Sequence, residues 1–237
     1  MNKMQAPKNK VIRSPEFKEV VYDVRRWELL KKLRSEALRI MESLIRCGFK
    51  PVIHGSLARG DVDSGSDIDI VIPYIVQPYE VEVCLERSNI RPLDKYVIQA
   101  IPSSTPKAYI ELDAKGLKNL SFPLTHLSPR EYEFYRFGGL ITYEDLIKDV
   151  RVPGVTKQLI LIMPTDFGHK ELPVVGYEGY VSKVLGISLE TVKERVEVLT
   201  RRDFVGRTGV YLSYMLRVDE DFSEALRNLI KSGKLKL

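Results

Sequence analysis

The run from His54 to Ile72 constrains this chain more than any other part of it. A short apolar strand candidate, Lys50 to His54, leads straight into Gly55-Ser56, and a turn-rich stretch from Asp61 to Ser66 follows. Asp67-Ile68-Asp69-Ile70-Val71-Ile72 then alternates acidic and apolar residues before turning wholly apolar, the pattern of a strand entering a core. A Gly-Ser pair at a strand-to-helix junction leaves backbone N–H groups unpaired at the helix start, and these suit phosphate oxygens. Glycine lets a polyphosphate approach the backbone closely. On a strand, residues two apart share a face, so Asp67 and Asp69 stand side by side while Ile68 and Ile70 turn into the core. Paired carboxylates repel, and hard divalent cations such as Mg²⁺ relieve that repulsion.

A phosphate cradle beside a carboxylate pair is what metal-assisted phosphoryl-type transfer requires, and a third acid is expected to complete it. The strand candidate Lys107 to Asp113 offers Glu111 and Asp113 on one face; the shorter Asp113 is favoured, with Glu111 kept open. Arg59 follows the cradle closely enough to reach phosphates, or alternatively to pair with Asp61 or Asp63.

Gly55-Ser56-Leu57-Ala58-Arg59-Gly60 with Ser66-Asp67-Ile68-Asp69-Ile70 resembles the DNA polymerase β-like nucleotidyltransferase superfamily, which includes class I CCA-adding enzymes and minimal nucleotidyltransferases. The resemblance implies an α+β fold, a mixed β-sheet flanked by helices. It implies an NTP bound with two Mg²⁺ at Asp67 and Asp69, a third ligand at Asp113 as in a similar Glu-x-Asp run of archaeal CCA enzymes, and Ser56 on a β- or γ-phosphate. The expected catalytic and metal residues are thus Asp67, Asp69 and Asp113, and the nucleotide-binding residues Gly55, Ser56 and Arg59. The activity implied is transfer of a nucleoside monophosphate to a hydroxyl on an RNA 3′ end, a small molecule or a protein. The rivals are a nucleic-acid-binding regulator or an antitoxin-like partner that only binds nucleotide.

Around this run the chain divides into a disordered basic tail (1–18), a catalytic domain (19–125) and a mainly helical accessory domain (126–237). Apolar residues from Val20 through Ile45 at helical spacing predict one long amphipathic helix starting near Glu16. Ser128-Pro129-Arg130-Glu131 reads as a capped helix start. Helices over Glu178 to Leu185 and Leu189 to Arg202, around Gly186-Ile187-Ser188, outline a helix-turn-helix. A hairpin over Phe204 to Tyr214, turning at Arg207-Thr208-Gly209, would be its wing. Lys183, Lys193, Arg195, Arg201, Arg202 and Arg207 make RNA or DNA a candidate partner of this half, as the net charge of +5 does weakly. Hydrophobic content of 44% and charged content of 29% suit a globular chain, with no apolar run that would span a membrane. Cys47 and Cys84 are expected as buried free thiols, which points to a reducing cytoplasmic compartment. The oligomeric state is left open.

Overall fold

The computed structural model describes residues 11, 17–206 and 209–235. Strand β1 (Lys18–Val21) precedes helix α1 (Val24–Arg46), whose first turn is capped by Asp23 accepting from the Arg26 N–H. The apolar spacing of α1 buries Leu30, Ala37, Met41 and Leu44 on one face. Next come β2 (Val52–His54), the single turn α2 (Ser56–Arg59), β3 (Ile68–Val71) and α3 (Pro78–Arg87). Strands β4 (Asp94–Gln99), β5 (Lys107–Glu111) and β6 (Lys118–Pro123) follow, then α4 (Pro129–Phe137), β7 (Leu140–Thr142) and α5 (Tyr143–Ile147). The chain continues through β8 (Gly154–Val155), β9 (Ile160–Thr165), β10 (Gly168–Pro173), α6 (Glu178–Leu185), α7 (Leu189–Val205), β11 (Leu212–Met215) and α8 (Phe222–Lys231).

A mixed seven-stranded sheet in the order β11-β4-β5-β6-β3-β2-β7 carries the run from His54 to Ile72; its one parallel pair is β3 with β6. Ile68, Ile70 and Ile72 are fully buried beneath it, as the alternation requires. They pack with Ile53, Leu57, Ile110, Leu120 and Phe122 and with the inner faces of α1 and α3. Burying each such side chain stabilises the fold by roughly 1.5–3 kcal/mol. A second, antiparallel sheet, β1-β10-β9-β8, packs with α6 and α7 around Leu161, Leu172, Val181 and Val192. The capping box at Ser128 and Glu131 is formed on both sides. No helix among the described residues is long and apolar enough to cross a membrane.

Several expectations are corrected. The long helix starts at Val24, not near Glu16, because Lys18–Val21 pairs with β10. The expected tail (1–18) falls mostly outside the described residues, but Val11 is buried in the second core and Lys18 opens a strand. Cys47 and Cys84 are bonded to each other, joining the end of α1 to α3. The free-thiol basis for a reducing compartment therefore falls away. The segment beyond residue 125 is helical only in part: it also supplies three of the four strands of the second sheet, β8, β9 and β10, while β1 comes from before α1. It also supplies β7 and β11 to the large sheet and buries Phe222, Ala225 and Leu229 of α8 in the main core. Among the described residues the expected wing does not form a local hairpin: α7 runs on to Val205 and β11 pairs with β4. Arg207 and Thr208 lie outside the described residues.

Candidate active site

Strand β2 delivers the Gly-Ser turn. Gly55 adopts φ 89° and ψ −151°, a conformation open essentially to glycine alone. A Cβ there would meet nothing within 4 Å, so backbone geometry and not crowding demands this residue. The Gly55 N–H donates to Gly139 O at 3.0 Å, and Gly55 O accepts from the N–H groups of Ala58 and Arg59. The N–H groups of Ser56 and Leu57 are left without a partner among the described residues. Arg34 of α1 steadies the turn from behind. Its guanidinium donates to Leu57 O (3.1 Å) and Val150 O (2.9 Å) and pairs with Asp149 at 2.8 Å.

Strand β3 places Asp69 directly between His54 on β2 and Asn119 on β6. Burial, and then the neighbouring charge of Asp67, push the Asp69 carboxyl up to about 6; Lys157 and a hydrogen bond from the Asn119 side chain act the other way. His54 is pushed down to about 4, mainly by burial and then by Lys107, Arg59 and Lys157. Its ring packs on Tyr135 (centroids 5.2 Å apart) and it stays neutral at physiological pH.

Gly55, Ser56, Asp67 and Asp69 line one cavity of about 470 Å³. Its opposite wall comes from the β8–β9 turn (Thr156, Lys157, Gln158), from His169 and Glu171 of β10, and from Arg195 and Leu199 of α7. The Arg195 guanidinium lies 4.6 Å over the Phe134 ring. Burial and then the charge of Arg202 push its pKa down to about 10, while Glu194 opposes this. The Arg195 Nε has no hydrogen-bond partner. A half-buried cation with an unpartnered Nε, lining the same cavity as the acidic pair, suits the binding of an anion. Lys157 and Arg195 were missed as site residues. Arg195 was legible in principle, because it stands three residues after Val192 and four before Leu199, on the inward stripe of α7.

Two expected residues serve the frame. Arg59 lines the cavity but pairs with Asp61 at 2.9 Å and donates to Gly138 O at 2.6 Å, so its charge is spent locally. The open alternative for Arg59, pairing with Asp61, is the one observed. Asp113 is not brought to the acidic pair: its Oδ1 accepts the N–H groups of Leu117 (2.7 Å) and Lys118 (3.0 Å), fixing the β5–β6 turn. Glu111 does not line the cavity either. Among the described residues, no cluster of three or more His, Cys, Asp or Glu side chains is arranged to hold a metal ion.

A model of the nucleotidyltransferase domain family matches residues 34–152. The chain belongs to that family. The match begins at Arg34, which braces the Gly-Ser turn, and takes in Gly55, Ser56, Asp67 and Asp69. It ends before Lys157 and Arg195, so the nucleotidyltransferase domain builds one wall of the cavity and the following segment builds the other. Neither curated proteins nor solved structures gave a match.

Proposed function

We propose that this nucleotidyltransferase transfers a nucleoside monophosphate from an NTP to a hydroxyl acceptor. The observation that carries this is the meeting, in one cavity, of the Gly55-Ser56 turn and the Asp67–Asp69 pair with two basic side chains, Lys157 and Arg195. The unpaired N–H groups of Ser56 and Leu57 would receive phosphate oxygens, and Lys157 and Arg195 would balance the remaining charge of the triphosphate. Asp67 and Asp69 fit a divalent cation such as Mg²⁺, because burial, and then the charge of Asp67, make the ionised form of Asp69 costly until a cation is present. Such a cation would draw charge from the α-phosphate and the leaving group. The acceptor oxygen attacks the α-phosphorus, the bond from that phosphorus to the bridging oxygen breaks, and pyrophosphate leaves while the hydroxyl proton passes to a base or to water.

The acceptor classes remain an RNA 3′ end, a small molecule or a protein side chain. Lys193, Arg201 and Arg202 of α7 are exposed, which supports an RNA acceptor. The start of α7 supports a helix-turn-helix reader less well. Glu133 of α4 accepts from the Ser188 N–H and Ser188 Oγ, and the Thr191 hydroxyl also bonds it, so this end is docked inward.

The test is incubation with each α-labelled NTP, Mg²⁺ and, in turn, cellular RNA, protein and small-molecule extract. Label transfer with equimolar pyrophosphate release is expected, lost by at least a hundredfold in D67A and D69A. Nucleotide binding with no transfer to any extract would overturn the enzyme reading in favour of a nucleotide-binding regulator.

A further inference from the structure

We infer that this site takes a single divalent cation, the one accompanying the triphosphate, and that Asn119 stands where a ligand to a second would have to be. The inference rests on the nucleotide-transfer reading above and narrows the two ions implied by the family resemblance to one.

Sheet register limits where a third ligand can come from. Asp69 has one direct neighbour on each side of its strand: His54 on β2 and Asn119 on β6. Paired residues in a sheet project to the same face about 4.8 Å apart, close enough to share one ion cluster. The His54 ring is taken up by Tyr135 and opens onto no second acid. That leaves Asn119, whose amide nitrogen donates to the Asp69 carboxylate and to Gly116 O at 3.1 Å. Two amide hydrogens are used on two acceptors, so this side of Asp69 is lined by positive hydrogens and not by lone pairs.

The acids that might substitute are directed elsewhere. Glu111 pairs with Asn119 from β5, a further strand away and so roughly 10 Å from Asp69. Its carboxylate lies beside the Gly116 turn, where a Cβ on Gly116 would be 3.8 Å from Oε1. Asp113 is committed to the N–H groups of Leu117 and Lys118. The neighbouring charges that act on Asp69 are those of Asp67 and Lys157.

The experiment counts Mn²⁺ ions per protein-bound α,β-methylene-ATP on the full chain, using the free-ion electron paramagnetic resonance signal with nucleotide retention measured by dialysis. One ion per bound nucleotide is expected for the native chain, without the spin-coupled spectrum of a close Mn²⁺ pair. The Asn119→Asp change is expected to raise the count to two and to produce that coupled spectrum. Two ions in the native chain would overturn the single-ion inference and leave the transfer reading standing. Failure to retain any nucleotide would overturn the transfer reading, and the inference with it. The native count decides the matter even where the aspartate variant does not fold.

Discussion

Asp69 and His54 face each other across β2 and β3, and their protonation pulls stability in opposite directions. Asp69 is raised from 3.8 to about 6, so the folded chain holds a proton there that the unfolded chain releases. Its contribution lowers stability as pH rises from 4 to 6 and leaves a standing cost above that. His54 is lowered from 6.5 to about 4, so the unfolded chain binds the proton first. Its contribution raises stability as pH rises from 4 to 6.5. The two nearly cancel in the native, metal-free protein. Asp69→Asn removes one of them. Urea melts in EDTA should show the variant more stable than the native chain at pH 7 by about 2 kcal/mol, after allowance for the partial solvent contact of the cavity. The advantage should vanish near pH 4, and the variant should lose stability steeply between pH 6.5 and 4 where the native chain stays nearly level. A variant no more stable than the native chain at pH 7 would show that the acidic pair is relaxed without a cation. The Asp-x-Asp spacing was fully legible in the sequence, because period two alone sets it. That Asn119 and not an acid lies beside Asp69 was not legible, because it depends on a parallel register between strands about fifty residues apart.

Elements with strong internal periodicity or caps were read well, and elements defined by distant partners were not. The capping box of α4 and the apolar stripe of α1 are local and visible. Strand β1 was absorbed into the helix because Val20 and Val24 satisfy a helical spacing, yet its pairing with β10 prevails. The same limit hid the bond between Cys47 and Cys84, which lie 37 residues apart with no motif to connect them. That bond ties the C-terminal end of α1 to α3, and neither cysteine lines the cavity. A loop of this length predicts stabilisation of about 4 kcal/mol, mainly through the unfolded chain. Reduction, or the Cys47→Ser/Cys84→Ser pair, should lower the urea midpoint accordingly and leave the KM for NTP unchanged. Unchanged melts with and without reductant would show the thiols free. Helix α7 is held on α4 by Glu133, and that contact sets Arg195 over Phe134. Arg195→Ala should raise the KM for NTP about tenfold, with a melting temperature within a few degrees of the native chain. An unchanged KM would remove Arg195 from the triphosphate wall.

Across the whole molecule, the family segment and the rest of the chain are joined in two separate ways. The segment after residue 152 closes the cavity with Lys157 and Arg195, and it also completes the large sheet with β11 and α8. These two joints should fail independently. Phe222 of α8 is fully buried against Phe122 of β6, with ring centroids 5.8 Å apart in an edge contact. It lies within the main core and is not among the residues lining the cavity. Phe222→Ala opens a void where the surrounding strands cannot collapse, which costs about 3–5 kcal/mol. Thermal melts should therefore fall by roughly 6–20 degrees, while the folded fraction at low temperature keeps the native KM for NTP. Arg195→Ala should show the reverse pattern, a weakened KM with little loss of stability. The double variant should show the sum of both effects, since sites without shared partners add. Should Phe222→Ala also raise the KM, the sheet and the cavity would be one mechanical unit, and the C-terminal strand and helix would act on nucleotide binding through β4, β5 and β6.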